Sequence, residues 1–228
     1  METSLHRQLK QQYAGGDGQT EVVCDGYRID AIDGDELIEI QQASLASIRD
    51  KIARLLKSHR VRVVKPIVLR KQLVKCRNRA GKEVARRMSP KQGTLVDLVH
   101  ELVYFTRVFP HERLRLEVPL VTIEEWRCPR PRRERRRRRK DHVVLDRKLL
   151  DVVDVHHFRT AADLRRLIPG ALPTPFHSGH VAEAIDQQRW VAQRLVYCFR
   201  KMGTARQVGK IGRAAAYEFV DPAQRQAA

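Results

Sequence analysis

Apolar and polar positions alternate through Tyr27–Gln42, YRIDAIDGDELIEIQQ, on both sides of Asp33-Gly34-Asp35, the pattern of two short strands folded on a tight turn. With Gly34 and Asp35 as a two-residue turn, Ile32 faces Leu37, Asp30 faces Glu39 and Arg28 faces Gln41. Alternation then gives Ile29, Ala31, Ile38 and Ile40 a core face and leaves Arg28, Asp30, Ile32, Leu37, Glu39 and Gln41 on the other. A turn centred on Asp33-Gly34 keeps both carboxylates on one face as diagonal neighbours, whereas a three-residue turn would part them. Upstream, Leu5, Leu9 and Tyr13 follow a helical spacing that Gly15-Gly16 ends, with Glu2 at the start, where an acidic group suits the helix dipole. Thr20–Cys24 reads as a strand that turns at Asp25-Gly26 into the hairpin.

Downstream, Ser44 is placed to cap a helix reaching about Ser58, with Leu45, Ile48, Ile52, Leu55 and Leu56 on one side. Val61–Val64 and Ile67–Leu69, interrupted by Pro66, predict a strand that ends at a sheet edge. A second hairpin is expected around Asn78-Arg79-Ala80-Gly81, then a helix from Thr94 to about Phe105 and a strand over Leu114–Ile123. Together 70–125 read as an elaboration on the core. Val143–Val153 continues as a strand or strand pair. Beyond it Thr160 and Ser178 are set to cap two short helices, and Gln187–Met202 is a long amphipathic one ended by Gly203. Trp190, Val191, Leu195, Val196 and Phe199 form its expected core side, and strand-like Ala205–Val208 and Ala214–Val220 flank Gly209-Lys210-Ile211-Gly212-Arg213.

Charge adds a partner to this outline. The 228 residues hold 45 Lys and Arg against 27 Asp and Glu, a net +18, which favours a polyanion, DNA first and RNA not excluded. Pro129–Lys140, PRPRRERRRRRK, alone contributes +8 of it. Such a run cannot bury itself and would contact phosphate by counterion release through residues such as Arg136, Arg137 and Arg138. No window is apolar enough to span a membrane and METSLHRQLKQQ has no secretory core, so a cytoplasmic, nucleoid-associated protein is expected. Cys24, Cys76, Cys128 and Cys198 lack zinc or disulfide spacing and are expected to be buried apolar residues. His156, His157, His177 and His180 have no ligand partners at suitable spacing and read as loop and cap residues.

The hairpin adds chemistry. Directly opposed carboxylates repel unless a positive group sits between them, and a hard divalent cation with oxygen ligands meets that need; on spacing alone the same pair also suits a solvent-facing hairpin side. Asp30 followed by Glu39-Ile40-Gln41, after a short helix and before an amphipathic helix and a strand, resembles the PD-(D/E)XK nuclease superfamily over residues 1 to about 69. That resemblance implies a mixed-sheet α/β (α+β) fold with a restriction-endonuclease-like αβββαβ core. It implies Mg²⁺ or Mn²⁺ held by Asp30 and Glu39, with Glu2 pointing at the ion and Glu21 as an alternative contributor. Gln41 stands where lysine is usual and would orient the attacking water. Three helices and a basic hairpin over about 160–220 resemble a winged helix-turn-helix, a module that also serves protein binding. As a DNA reader it would expose Gln187, Gln188, Arg189, Gln193 and Arg194 near the start of the third helix, with Lys210 and Arg213 meeting phosphate from the wing.

The whole-chain pattern, D-G-Y-x-I-D, I-E-I-Q and A-Q-R-L-V-Y-C-F-R-K-M-G, is similar to a little-characterised prokaryotic family of nuclease-like domains fused to a winged helix. The expectation is a metal-dependent DNA endonuclease with a nuclease-like domain over 1–155, carrying the basic insertion 129–140, and a winged helix over 156–228. A homodimer follows if both strands are cut. The alternative is a catalytically inert DNA-binding regulator or scaffold, and a structure-selective RNA nuclease is a third reading.

Overall fold

A computed structural model describes residues 2–14, 19–130 and 141–220. The chain divides into two compact units, one made of Met1–Gln42, Val64–Thr94 and Val118–His156, the other of Ala43–Val63, Leu95–Glu117 and His157–Ala228. Antiparallel and parallel strand pairs occur together, so the class is α+β with a mixed sheet.

In the first unit, helix α1 (Ser4–Tyr13) starts at Thr3, whose hydroxyl accepts the amide of His6. Asp146 also accepts from the Ser4 amide and hydroxyl. Glu2 therefore precedes the cap and is not the first-turn acid that the sequence suggested. The Gly15-Gly16 stop lies outside the described residues. Strands β1 (Thr20–Cys24), β2 (Tyr27–Asp33) and β3 (Glu36–Ile40) form an antiparallel meander. Its hairpin has Ile32 opposite Leu37 and Asp33 opposite Glu36, the register of a Gly34-Asp35 turn, with Gly34 at φ 59°. Ladder pairing stops at Ala31 and Ile38, beyond which the Asp30 carboxylate takes the Ile40 amide and the Gln41 amide donates to the Val64 carbonyl.

Leu5 and Leu9 of α1 pack on Ala31, Ile38, Ile40 and Val64 and, equally, on Val121 and Ile123. The stretch expected to be an elaboration thus supplies part of this core. β4 (Arg60–Val64) and β5 (Ile67–Cys76) are separate strands, not one strand broken by Pro66 at an edge. β5 lies between β6 (Glu83–Met88), antiparallel to it, and β7 (Leu114–Pro129), parallel to it, and Pro66 occupies the buried link. β8 (His142–Phe158) pairs with β7.

The second unit has less regular helix than its apolar spacing predicts. Ser44 does cap, but a 3₁₀ turn over Leu45–Ser47 precedes the short α2 (Arg49–Leu55). The helix expected over 94–105 is a 3₁₀ turn followed by the one-turn α3 (Val99–Leu102). Thr160 forms a reciprocal cap with Asp163, and the segment it opens, Ala161–Leu167, is also 3₁₀. In α4 (Ser178–Ala184) the capping side chain is His177, not Ser178: its Nδ1 accepts the Gly179 and His180 amides. Helix α5 (Arg189–Lys201) buries Val191, Ala192, Leu195, Val196, Cys198 and Phe199 and packs on α3, α4 and the hairpin that follows. Gly203, at φ 70°, ends it.

That hairpin is β9 (Ala205–Ile211) and β10 (Ala214–Phe219), turning on Gly212-Arg213. Ala216 pairs with Gly209 but Tyr217 with Gln207, which leaves Val208 as an extra residue in the ladder, a β-bulge. Its root is pinned by a two-way backbone bridge between Phe176 and Tyr217 and by Phe219 packed on Phe176 and Phe199.

Candidate active site and nucleic-acid interface

Residues spaced by four share one stripe of a helix, so α1 and its lead-in align Glu2, His6 and Lys10. The meander brings Glu21 of β1 and Asp30 of β2 to this stripe. Lys10, only 5% exposed, places its Nζ 2.5 Å from a Glu2 oxygen and in close contact with Glu21. His6 Nε2 lies 3.0 Å from Asp30 Oδ1 and 3.8 Å from Glu2. Asp30 Oδ2 accepts the Ile40 amide at 2.8 Å. Exposed Arg28 closes on Glu21 from the solvent side. Glu21 enters the cluster at φ 62°, in the left-handed region that an L side chain seldom adopts.

These contacts set the charge states. Burial pushes the Asp30 carboxyl up, but the bond from His6 and the Ile40 amide outweigh it and hold it below the usual carboxylate range. The bond from Lys10 lowers Glu2, against a smaller opposing effect of burial. Both carboxylates are accordingly ionised near neutrality.

Of the residues picked from the sequence, Glu2, Glu21 and Asp30 are brought together. Glu39 shares the hairpin side of Asp30 by the observed register and is 5% exposed, while Gln41 is half-buried with its backbone N–H donating to the Val64 carbonyl. Among the described residues, no three donor atoms from Glu2, His6, Glu21, Asp30 and Glu39 lie within 4.8 Å of one another. His6 and Lys10 were not singled out from the sequence. Their spacing, four and eight residues from Glu2, is the signal that places them on its stripe, next to the apolar stripe of Leu5 and Leu9. Arg136, Arg137 and Arg138 lie outside the described residues.

In the second unit, Arg189 and Gln193 of α5 and Arg213 of the hairpin line one recess, joined by Arg200, Tyr197 and Tyr217. Arg189, Gln193, Lys210 and Arg213 are exposed. Lys210 does not line that recess, and Gln188 lines a different hollow with Glu183 and Asp186. Gln188 instead holds an aromatic side chain: its Oε1 accepts the Trp190 indole N–H at 2.7 Å. Trp190 is not a core residue. It is 46% exposed, stacked on His100 at 5.2 Å between ring centres, with the Arg194 guanidinium 5.0 Å from its ring centre.

An α+β protein with a mixed sheet and a helix–meander cluster of paired acids and bases is the class that these observations define. Residues 3–159 match the family described as Domain of unknown function (DUF8091), and the chain belongs to it. The chain is similar to a Treponema pallidum (strain Nichols) protein described as an uncharacterized protein, 31% identical over 183 residues, which are 80% of this chain and 72% of that one. No solved structure matches. Among the described residues, no helix is long and apolar enough to cross a membrane.

Proposed function

We propose that this protein is a metal-dependent phosphodiesterase acting on DNA, with a winged helix-turn-helix in its second unit holding the substrate. The observation that carries the reading is the acid cluster at the hairpin that resembles the PD-(D/E)XK signature, where Glu2 and Glu21 meet on the buried Lys10 ammonium and Asp30 is held beside them by His6 and the Ile40 amide. Carboxylate oxygens are the donors that hard divalent cations prefer, and Asp30 and Glu39 share one side of the hairpin, so these two are the residues that would hold Mg²⁺ or Mn²⁺, with Glu2 next to His6 on the adjoining helix stripe. When bound, such an ion lowers the pKa of water and offsets charge on the phosphate. His6 orients Asp30 through its Oδ1 contact. Lys10 supplies the fixed positive charge that Gln41 does not, and the Gln41 amide is suited to orienting water but is too weak a base to deprotonate it. The net charge of +18 and the arginine-lined recess support a polyanionic substrate.

One observation favours a second reading. Lys10 already compensates Glu2 and Glu21, and His6 and the Ile40 amide hydrogen-bond Asp30, so the mutual repulsion that asks for an ion is partly met by the protein itself. The cluster is then structural, and the chain is a DNA-binding regulator or scaffold. Incubation with supercoiled plasmid and Mg²⁺ or Mn²⁺ separates the two. Under the phosphodiesterase reading the wild type nicks or linearises the DNA, and Asp30→Ala and Glu39→Ala each lose about 100-fold or more in rate, as expected when a metal ligand worth several kcal/mol is removed. Equal cutting by all three overturns the assigned site. No cutting of any DNA or RNA form, with no Mn²⁺ bound in calorimetry, leaves the regulator.

A further inference from the structure

We propose that the outer side of α5 is a stacking platform for unpaired bases, so that the second unit grips single-stranded DNA. This rests on the nucleic-acid reading above and goes beyond it, because groove reading by the start of a recognition helix gives no role to exposed aromatic rings. Trp190 and Tyr197 are seven residues apart on α5, about 10 Å along its axis, and are 46% and 40% exposed. A hollow on that side is lined by both rings with Val103, Gln193 and Arg194.

Two features separate this surface from scattered apolar exposure. First, Trp190 is held in place: His100 stacks on it, Gln188 accepts its indole N–H, and Arg194, itself 3.2 Å from His100 Nδ1, lies against its ring. An aromatic ring fixed in orientation yet open to solvent loses little freedom when a planar ligand stacks on it. Second, each ring has its own cation. Arg194 accompanies Trp190, the Lys201 ammonium is 5.8 Å from the Tyr197 ring centre, and Arg200 stands at 5.8 Å from Tyr217 in the adjoining recess. Alternating π-faces and positive charges complement a strand that alternates bases and phosphates, whereas paired bases in a duplex keep their faces covered. Charge complementarity thus commits the surface to a polyanion, and the open rings to one whose bases are unstacked.

The test uses the full chain in EDTA, so that binding is read without cleavage. Fluorescence anisotropy compares a labelled oligothymidylate with a duplex of the same length. The wild type should bind the single strand, with quenching of tryptophan emission. Trp190→Ala and Tyr197→Ala should each weaken that binding about 5- to 150-fold, a larger factor than either loses on duplex. Trp190→Phe, which keeps a ring, should retain most of it, and unchanged melting temperatures exclude a folding defect. Wild-type affinity in both alanine variants overturns the inference, as does an equal loss on duplex. A concentration-dependent dimer that Trp190→Ala dissolves also overturns it, because the rings then cover a second copy of the chain. Binding of neither nucleic acid by the wild type would sink the functional reading as well. Single-strand binding lost in Trp190→Ala supports the platform even if no phosphodiester bond is ever cut.

Discussion

Lys10 shows how one side chain decides what the acidic cluster is. Nearly all of it is buried, and it stands between Glu2 and Glu21. Removing a buried partner leaves its counter-charges desolvated and uncompensated, which costs more than the pair itself contributes. Lys10→Met should therefore destabilise the fold by about 1–3 kcal/mol in urea titration, with both acids partly exposed and the penalty softened accordingly. Adding Glu21→Gln should recover part of that loss, since it removes one of the two carboxylates that Lys10 compensates and that would then keep only the exposed Arg28. If the single variant is as stable as the wild type, Lys10 is not holding the cluster. Trp190 makes a complementary point. Its position beside Val191 looked like core because a helical stripe of apolar residues has no sharp border, yet one residue turns a side chain by about 100°, enough to carry the ring from the packed side to the open one.

At the scale of elements, a buried carboxylate ties three strands together. Glu125 of β7, 2% exposed, receives Lys71 from β5, Arg147 from β8 and Arg127 from its own strand. Burial pushes its carboxyl up, but Arg127, Lys71 and Arg147 overcome that and hold it at about 2. A folded value below the ordinary 4.5 means that the stabilisation is complete above about pH 4.5 and disappears as pH falls towards about 2. Glu125→Gln should be clearly less stable than the wild type at pH 7, and the gap should close between pH 4.5 and 2. Denaturation midpoints across that range check it, and a gap independent of pH would count against the carboxylate.

The strands were the legible part of the sequence. The register of the β2–β3 hairpin follows from Gly34, which takes φ 59° at the turn, and Asp25-Gly26, at φ 50° and 76°, likewise fixes β1 on β2. What alternation cannot reveal is which distant strand a strand will meet. β5 finds β7 about fifty residues on, in parallel, and so Pro66, whose place in an apolar run predicts a sheet edge, marks a link instead. Of the candidate site, Asp30 and Glu39 are legible in the hairpin spacing, whereas Glu2 and Glu21 enter only through the resemblance. Their basic partners are not legible, because the periodic signal of α1 comes from Leu5 and Leu9 and carries no information on which strand residues His6 and Lys10 will meet. The short 3₁₀ segments of the second unit also escaped, since apolar spacing at three and four residues does not distinguish them from α-helix.

For the molecule as a whole, the excess of basic side chains sets how it answers to salt. Binding to DNA should weaken steeply as salt rises, with a log–log slope of about −0.9 for each phosphate neutralised on duplex. Excising Pro129–Lys140 should flatten that slope and lower affinity alike on all sequences, leaving any chemistry at the acidic cluster untouched. Filter binding over a salt series, beside a plasmid assay of the shortened chain, reads both. The extra residue in the β9 ladder has a consequence of its own. Val208 shifts the phase of the hairpin between a root clamped by Phe176 and a tip that carries Lys210 and Arg213. Deleting Val208 would leave the root seated and roll the tip over, exchanging the sides that its strand presents. A chain so altered should melt like the parent but hold DNA less well, because one supernumerary valine sets the direction in which the basic tip reaches.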